Sequence, residues 1–278
     1  MRIIVVGANG FIGSHLVARL ERDGHEVQSI LRGNREAFLR DPHAIINCAG
    51  QVNDRSKMYR DNVTLVYDLL ESLRGERFIQ IGSSSETGPV EGPRGETMIC
   101  RPSDVYEHTK LAATSLCLAE AVLRDLDVVV ARPFTVYGPH DKPRMMLPTL
   151  WRAWKDGTEF VCHPGGHDWI YIDDFLDGIV ALLRAPRSTT KGQIYHFGTG
   201  VCTSNAEVID LFNREAGSGG VRVRYSTEPF HPYDVKDWRA DITKARTVLR
   251  WSPKVTIQEG IKRFVNEQWF TDEKSSGL

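Results

Sequence analysis

The sequence predicts an α/β protein: a doubly wound parallel sheet with a smaller C-terminal lobe. Short apolar strands alternate with amphipathic helices through the first half, and a glycine-rich turn follows the first strand. The second half is less regular, because prolines interrupt it at positions 133, 139, 143 and 148. Alternation of this kind is typical of a parallel sheet, since each crossover between parallel strands takes about the length of a helix.

Apolar periodicity sets the elements of the first half. Short apolar runs predict strands at Arg2–Val6, His25–Leu31, Ala44–Cys48, Phe78–Gly82 and Val128–Ala131. Apolar residues at helical spacing predict helices at Ile12–Asp23, Ser56–Leu73 and Val105–Arg124. Gly24, just beyond the first helix, predicts a left-handed cap at its end.

The second half predicts a lobe of helices with two further strands. The helices are expected at Met145–Lys155, Asp173–Arg184, Ser204–Arg214, Ile242–Leu249 and Ile257–Gln268, and the strands at Gln193–Phe197 and Val221–Tyr225. We therefore expect residues 1–165 to form the main sheet domain and residues 166–278 mainly a second lobe, interleaved with the first. This lobe would cover the edge of the sheet where open α/β sheets bind ligands.

Composition excludes several classes of function. The 278 residues are 41% hydrophobic and 26% charged with a net charge of −1, so no strong field would attract nucleic acid or an acidic membrane. Neither a signal peptide nor an apolar run that could span a bilayer is apparent. The cysteines lack C-x-x-C spacing and predict free thiols in a cytoplasmic protein, with no metal site: Cys48, Cys100, Cys117, Cys162 and Cys202.

The glycine turn predicts a phosphate cradle. It reads Gly7-Ala8-Asn9-Gly10-Phe11-Ile12-Gly13, directly between the first strand and the first helix. Glycines here let the backbone approach a pyrophosphate, and the helix start supplies free N–H groups. We therefore expect a dinucleotide at a Rossmann-type fold, held by Gly7, Asn9, Gly10, Phe11, Ile12 and Gly13. The alternative is a structural turn without a ligand.

The end of the second strand indicates which dinucleotide is bound. An acidic side chain there would hold the ribose hydroxyl of NAD, but Glu26 lies at the start of this strand. Arg32 follows the strand, and Arg at this place suits a 2′-phosphate. NADP(H) is therefore favoured over NAD(H), the alternative being that Arg32 is a solvated loop charge.

A tyrosine, a lysine and a serine-rich strand end predict the chemistry. Tyr106 and Lys110 lie four residues apart on one face of a predicted helix, where a nearby cation would lower the pKa of the phenol. The Ser83-Ser84-Ser85-Glu86 segment ends a strand at the ligand edge, where a hydroxyl can polarise a substrate oxygen. Serine at a strand end is also ordinary loop chemistry.

Together these motifs resemble the extended short-chain dehydrogenase/reductase family, especially its sugar-nucleotide branch. The resemblance spans nearly the whole chain and includes Gly7–Gly13, Asn47–Gly50, Asp61–Val63, Ile81–Gly88, Tyr106–Lys110, Ala131–Pro139, Asp168–Asp174 and Trp251–Pro253. It implies that Tyr106 is the catalytic acid/base, that Lys110 tunes it and binds the nicotinamide ribose, and that Ser84 is the catalytic serine.

The resemblance also implies secondary roles. Ser85 is the less favoured register for the serine, and Glu86 falls where dehydratases of the family carry an acid. The expected cofactor contacts are Cys48, Ala49, Gly50 and Pro133, and the expected substrate contacts are Ser85, Thr135, Arg144, His167 and His231. The two histidines stand where relatives carry arginines that grip the nucleotide diphosphate. Arg144, Arg222, Arg224 and Arg239 are candidates to replace those arginines.

Three functions fit the sequence. The first is an NADPH-dependent ketoreductase of a nucleotide-linked keto sugar of the 4-keto-6-deoxyhexose type, with Tyr106 as proton donor. The alternative is a redox-neutral, NAD-dependent sugar-nucleotide epimerase or 4,6-dehydratase, and a minor alternative is a non-catalytic NADP(H)-binding regulator. By resemblance, the helices predicted at 56–73 and 105–124 would pair in a homodimer.

Overall fold

The computed structural model describes residues 1–31, 41–217, 219–230 and 237–276, with side chains up to residue 268. In chain order, the strands in these ranges are β1 (Arg2–Val6), β2 (Glu26–Ile30), β3 (Ala44–Asn47), β4 (Arg77–Ile81), β5 (Gly92–Arg94), β6 (Val128–Pro133), β7 (Thr135–Tyr137), β8 (Glu159–Cys162), β9 (Gly166–His167), β10 (Trp169–Tyr171), β11 (Gln193–Phe197), β12 (Thr203–Ser204), β13 (Arg222–Tyr225) and β14 (Trp238–Ala240).

The helices lie between these strands. In chain order they are α1 (Phe11–Arg22), α2 (Arg55–Tyr59), α3 (Leu65–Ser72), α4 (Val105–Leu123), α5 (Met146–Asp156), α6 (Ile172–Arg184), α7 (Arg187–Thr190), α8 (Asn205–Ala216), α9 (Thr243–Val248) and α10 (Ile257–Ser276). A π-helical turn at Arg60–Thr64 joins α2 to α3, and a 3₁₀ turn covers Ser84–Thr87. None of the helices in the described part of the chain is both long and apolar enough to cross a membrane.

A parallel sheet of six strands forms the centre, in the order β11-β6-β4-β3-β1-β2. The chain runs from β1 outward to β2 and then crosses to β3 on the other side of β1, so the winding direction reverses between β1 and β3. Open α/β sheets bind ligands at this switch point, beyond the carboxyl ends of the strands. The doubly wound parallel sheet predicted from the sequence is confirmed.

Apolar side chains cover both faces of the sheet, because successive residues of a strand point to opposite sides. Ile3 and Val5 of β1 belong to the core that includes residues of α1 and α6. Ile4 and Val6 belong to the core that includes residues of α3 and α4. Helices on both faces therefore bury the sheet, which fixes the strand ends that carry the site.

The two halves of the chain share strands in their sheets. The four-stranded sheet has the order β12-β9-β14-β5, in which β5 comes from the first half of the chain. Conversely, β11 from the second half completes the main sheet beside β6. The elements predicted from periodicity are present, most of them with bounds within two residues, and Gly24 has the left-handed φ of 81° expected after α1. The helix predicted at 56–73 is divided by the π-helical turn, and the last helix ends at Ser276 instead of Gln268. The two- and three-residue strands were not predicted.

Candidate active site

The turn after β1 has the geometry of a phosphate cradle. Gly7 has a φ of 77°, and a Cβ there would lie 2.6 Å from the Ala49 nitrogen; a Cβ at Gly13 would lie 2.2 Å from the Gly7 oxygen. Gly10 caps α1 without a side-chain hydrogen bond, and the first turn holds no acidic residue. Among the described residues, no side chain accepts from the amides at this helix start, which carry the positive end of the dipole and so fit a dinucleotide pyrophosphate.

The loop after β3 lies against this cradle. The Cys48 nitrogen donates to the Val6 oxygen at 2.9 Å, and the Ala49 nitrogen donates to Asn47 Oδ1 at 3.1 Å. These contacts bring Cys48, Ala49 and Gly50 to the switch point beside Gly7, the position from which they were expected to line the cofactor.

Asn62 connects the same loop to α4 by hydrogen bonds. Its Oδ1 accepts from the Gln51 nitrogen at 2.7 Å, while its Nδ2 donates to the Gln51 oxygen and to Thr109 Oγ1, both at 2.9 Å. Asn62 lies in the π-helical turn, a local widening that often marks functional sites. Sequence reasoning gave it no role, although a buried amide in an amphipathic helix was the available signal.

Tyr106 lies in the first turn of α4, and Asp104 caps that helix by accepting from the Glu107 nitrogen at 2.8 Å. Burial raises the pKa of the Tyr106 phenol to about 12, and a hydrogen bond with the Ser83 side chain opposes this rise. The neighbouring carboxylates Glu86, Asp104 and Glu107 raise the pKa further. The phenol is therefore protonated in the protein alone.

Lys110 is buried one turn further along α4. Its Nζ donates to the Ile81 oxygen at 2.6 Å, and burial lowers the pKa of its ammonium group. The sequence suggested that Lys110 would bring the pKa of Tyr106 below its ordinary value. In this structure the pKa of Tyr106 instead lies above that value, because burial outweighs the groups that favour the phenolate.

The serine beside Tyr106 is Ser83, whereas the sequence favoured Ser84. The Ser84 hydroxyl turns away and accepts a hydrogen bond from Trp238 Nε1 at 3.1 Å. Ser85 Oγ lies 2.6 Å from Ser83 Oγ and so contacts the site through that hydroxyl. The serine that contacts Tyr106 is therefore one residue earlier than expected, since Ser83 caps the 3₁₀ turn and faces α4.

Glu86 is buried among donors rather than open to a substrate. It is 0% exposed, and its Oε1 accepts from the Ser83 nitrogen at 2.7 Å. Its Oε2 accepts from Thr114 Oγ1 at 2.7 Å and from Arg132 Nη2 at 2.8 Å. Both oxygens are therefore engaged by the protein, which places the carboxylate in the scaffold behind Ser83 rather than in an acid/base position.

The residues expected to contact the substrate lie in separate elements, with Thr135 in β7 and His167 in β9. His167 lies 6.2 Å from the Trp238 ring, and Thr135 donates its amide to the Asp168 oxygen at 2.9 Å. Pro133 is buried at the end of β6. Arg144 is exposed and, with Lys142 and the loop from Gly50 to Asn53, lines a cavity of about 440 Å³.

The other arginines that were candidates to bind the substrate diphosphate each contact another group of the protein. Arg222 donates to the Gly157 oxygen, and Arg224 pairs with Glu159 at 2.9 Å. Arg239 pairs with Asp237 at 3.3 Å. Arg32 and His231 lie outside the described residues. Within the described ranges, no group of three or more His, Cys, Asp or Glu side chains could hold a metal ion.

Comparisons with known proteins identify the family. Residues 3–198 match the model of the NAD dependent epimerase/dehydratase family. A dTDP-glucose 4,6-dehydratase from Streptomyces niveus is 28% identical, over 99% of this chain and 94% of its own. A UDP-glucose 4-epimerase from Mycolicibacterium smegmatis is 29% identical, over 95% of this chain and 97% of its own.

A solved structure extends the similarity to the fold. MoeE5 in complex with UDP-glucose and NAD is 27% identical with a TM-score of 0.85, covering 98% of this chain and 99% of its own. Together with the family match over residues 3–198, this shows the family. The chain therefore belongs to the NAD dependent epimerase/dehydratase family, among the extended short-chain dehydrogenase/reductase enzymes.

Proposed function

We propose that this enzyme is a redox-neutral sugar-nucleotide epimerase that works with retained NAD(H). The similarity to a UDP-glucose 4-epimerase and to a protein solved with UDP-glucose and NAD supports the substrate class. The glycine cradle, the Cys48–Gly50 loop and the buried Lys110 support a dinucleotide at the switch point of the sheet.

The position of Glu86 carries the choice of epimerase over 4,6-dehydratase. A dehydratase needs a carboxylate near the sugar ring to remove the C5 proton, and Glu86 was the residue that the sequence offered for this step. Its two oxygens accept from Ser83, Thr114 and Arg132, and the side chain is 0% exposed. A carboxylate that is fully buried and held by these donors is not open to a substrate, whereas epimerisation at C4 does not require a carboxylate.

In this proposal, Tyr106 and Ser83 both act on the oxygen of the substrate hydroxyl. Tyr106 would take the proton of the substrate hydroxyl when its carbon is oxidised and return it when the carbon is reduced. Ser83 would hydrogen bond the same oxygen and stabilise its developing charge. When bound, the nicotinamide supplies the hydride acceptor and donor. Lys110, held by the Ile81 oxygen, lies one helical turn from Tyr106, where it would hold the cofactor ribose.

The diphosphate of the substrate would meet a different set of cations from the usual one. His167 stands where relatives carry an arginine, and an imidazole cannot form the bidentate contact of a guanidinium. Arg144 lines the cavity beside the Gly50 loop, and we assign it the replacement contact.

An NADPH-dependent ketoreductase is the second candidate. It was the first expectation from the sequence, and the observation that favours it is Arg32 directly after β2. The similarity to named epimerases and dehydratases favours the redox-neutral reaction instead. The same Tyr106 and Ser83 would serve either reaction, so the cofactor is the property that separates the two candidates.

The test is to denature the purified protein and identify the nucleotide that is released. The proposal predicts NAD(H) at close to one molecule per chain, because a recycled cofactor need not leave between turnovers. An empty protein that consumes NADPH stoichiometrically when given a keto sugar nucleotide would overturn the epimerase and establish the reductase.

We also propose a homodimer built on the helices of one face. An apolar groove runs between the stretch 55–72 and α4, lined by Tyr59, Val63, Thr64, Tyr67, Ala112, Ser115, Leu116 and Ala119. Tyr59 and Tyr67 are 67% and 49% exposed and lie in this groove, where a second copy of the chain would cover them. Light scattering after size exclusion should give twice the chain mass, and a monomeric mass at micromolar concentration would contradict this.

A further inference from the structure

A chain of buried polar contacts leads from the serine turn into the second lobe. Glu86 Oε2 accepts from Arg132 Nη2 at 2.8 Å, and Arg132 Nη1 lies 3.1 Å from His196 Nε2. His196 Nδ1 lies 2.8 Å from the Arg94 oxygen in β5. Arg132 and His196 are register partners on the neighbouring strands β6 and β11, so this contact joins two adjacent strands of the main sheet.

The same chain closes into a ring. The Arg94 guanidinium stacks 3.5 Å from the centroid of the Trp238 ring, and Trp238 Nε1 donates to Ser84 Oγ at 3.1 Å. Ser84 and Glu86 belong to one short turn, which completes the circuit. We call this set the buried contact ring, formed by Ser84, Glu86, Arg132, His196, Arg94 and Trp238. It joins the serine turn to β5 and β14 of the second lobe.

His196 has a single possible hydrogen-bonding pattern in this ring. The Arg94 oxygen can only accept, so His196 Nδ1 must carry the proton. Its Nε2 is then an acceptor, which matches the donor at Arg132 Nη1. Burial, helped by the charge of Arg132, lowers the pKa of His196 to about 3, so the imidazole stays neutral at physiological pH.

The surroundings of His196 contain further charges that leave this pattern unchanged. The His196 amide donates to Glu96 Oε1 at 3.0 Å, and Phe134 packs edge-on against its ring at 5.5 Å. Lys244 lowers the pKa of the imidazole and Asp241 raises it, both less than burial does. The neutral imidazole is therefore an acceptor dedicated to Arg132.

We propose that His196 is a positioning residue that holds Arg132 on Glu86 and thereby fixes Ser83 against Tyr106. Glu86 binds the Ser83 amide at 2.7 Å, so its orientation sets the backbone from which the Ser83 hydroxyl projects. The importance of Ser83 for catalysis rests on the proposed function; the placement of Ser83 by His196 does not.

The orientation of Arg132 depends on few contacts, which is why His196 should matter. Among the described residues, no group accepts a hydrogen bond from Arg132 Nε. Its remaining polar contacts are Glu86, His196 and the Cys100 side chain. Without an acceptor at His196 Nε2, the guanidinium would lose the contact that holds it in the plane facing Glu86.

Two variants separate the two hydrogen bonds of His196. In His196→Gln the amide oxygen can reach the position of Nε2 and keep the contact with Arg132. In His196→Asn the shorter amide can keep the donor to the Arg94 oxygen but withdraws the acceptor from Arg132. Tyr195→Phe is the matched control: it removes a partly buried hydrogen bond, to the Thr189 oxygen at 2.6 Å, from the same strand but outside the buried contact ring.

The first readout is amide hydrogen exchange at Ser83, measured by NMR, which needs no substrate. His196→Asn should speed this exchange by about tenfold or more relative to Tyr195→Phe, because a charge-assisted hydrogen bond is weakened. His196→Gln should remain near the control. Equal exchange in His196→Asn and Tyr195→Phe would overturn the proposal, whether or not the enzyme is an epimerase.

The second readout is the pH profile of kcat. The Ser83 hydrogen bond lowers the pKa of Tyr106, so its loss should move the rising limb of the profile to higher pH by about one unit. This shift should appear in His196→Asn and not in Tyr195→Phe, with KM unchanged. An unchanged profile in His196→Asn, an equal shift in Tyr195→Phe, or a His196→Gln profile shifted as far as that of His196→Asn would overturn the proposal. Absence of epimerase activity in the unaltered protein would refute the proposed function but leave the exchange result intact.

Discussion

The Glu86–Arg132 pair offers the sharpest test of the scaffold behind the serine turn. The two side chains are 0% and 1% exposed and lie 2.8 Å apart. In Glu86→Gln the remaining carbonyl can keep one bond, to the Ser83 amide, while the new NH₂ group faces the donor of Arg132. Arg132 is then a buried cation without a counter-ion, which costs about 3–5 kcal/mol of unfolding free energy.

The assay is equilibrium urea unfolding followed by circular dichroism and tryptophan fluorescence. Glu259→Gln is the control, since it removes a carboxylate from an ion pair of similar length, 2.9 Å to Arg263, that is about half exposed. That pair should contribute at most about 0.5 kcal/mol. The double variant Glu86→Gln/Arg132→Met should recover part of the loss because the unpaired charge is gone. A Glu86→Gln loss within 1 kcal/mol of the control would refute this reasoning.

The remaining predictions concern the cradle and the chemistry. Gly13→Ala should abolish dinucleotide binding measured by calorimetry, since its Cβ would lie 2.2 Å from the Gly7 oxygen; retained affinity would contradict the cradle. Ser83→Ala should lower kcat by about 10²-fold or more, whereas Ser84→Ala should change kcat by only a few fold; the reverse order would restore the Ser84 register. Because burial raises the pKa of Tyr106 to about 12, the phenolate fraction grows with pH, so kcat should rise by up to about tenfold per pH unit through neutrality; a falling profile would exclude Tyr106 as the base.

The main sheet could be predicted because each of its elements is long and periodic. The runs at β1, β3 and β6 are apolar on both faces, as strands covered by helices must be. The cradle could be predicted because glycine is needed wherever φ is positive or backbones touch, and Gly7 meets both conditions. The short strands β9 and β12 have two residues each and carry no periodicity, so only tertiary pairing defines them.

The serine register could not be read from the sequence because three adjacent serines look alike. The 3₁₀ turn that begins at Ser84, and the position of α4 beside it, decide which hydroxyl meets Tyr106. The role of Glu86 could not be predicted for a related reason: its partner Arg132 is 46 residues away, in β6. A charged residue inside the buried run of β6 was the signal that a counter-ion must exist.

The central claim, a redox-neutral epimerase, is tested most directly by isotope transfer. Purified protein would be incubated with UDP-glucose or dTDP-glucose, each deuterated at C4 of the glucose, without added NAD(H) or NADP(H). The products would be analysed by NMR. We predict a C4 epimer that keeps its deuterium at C4, with no reduced nicotinamide released into solution. Loss of water with the label at C6, or product formation only when NADPH is added, would contradict the claim in favour of a dehydratase or a ketoreductase.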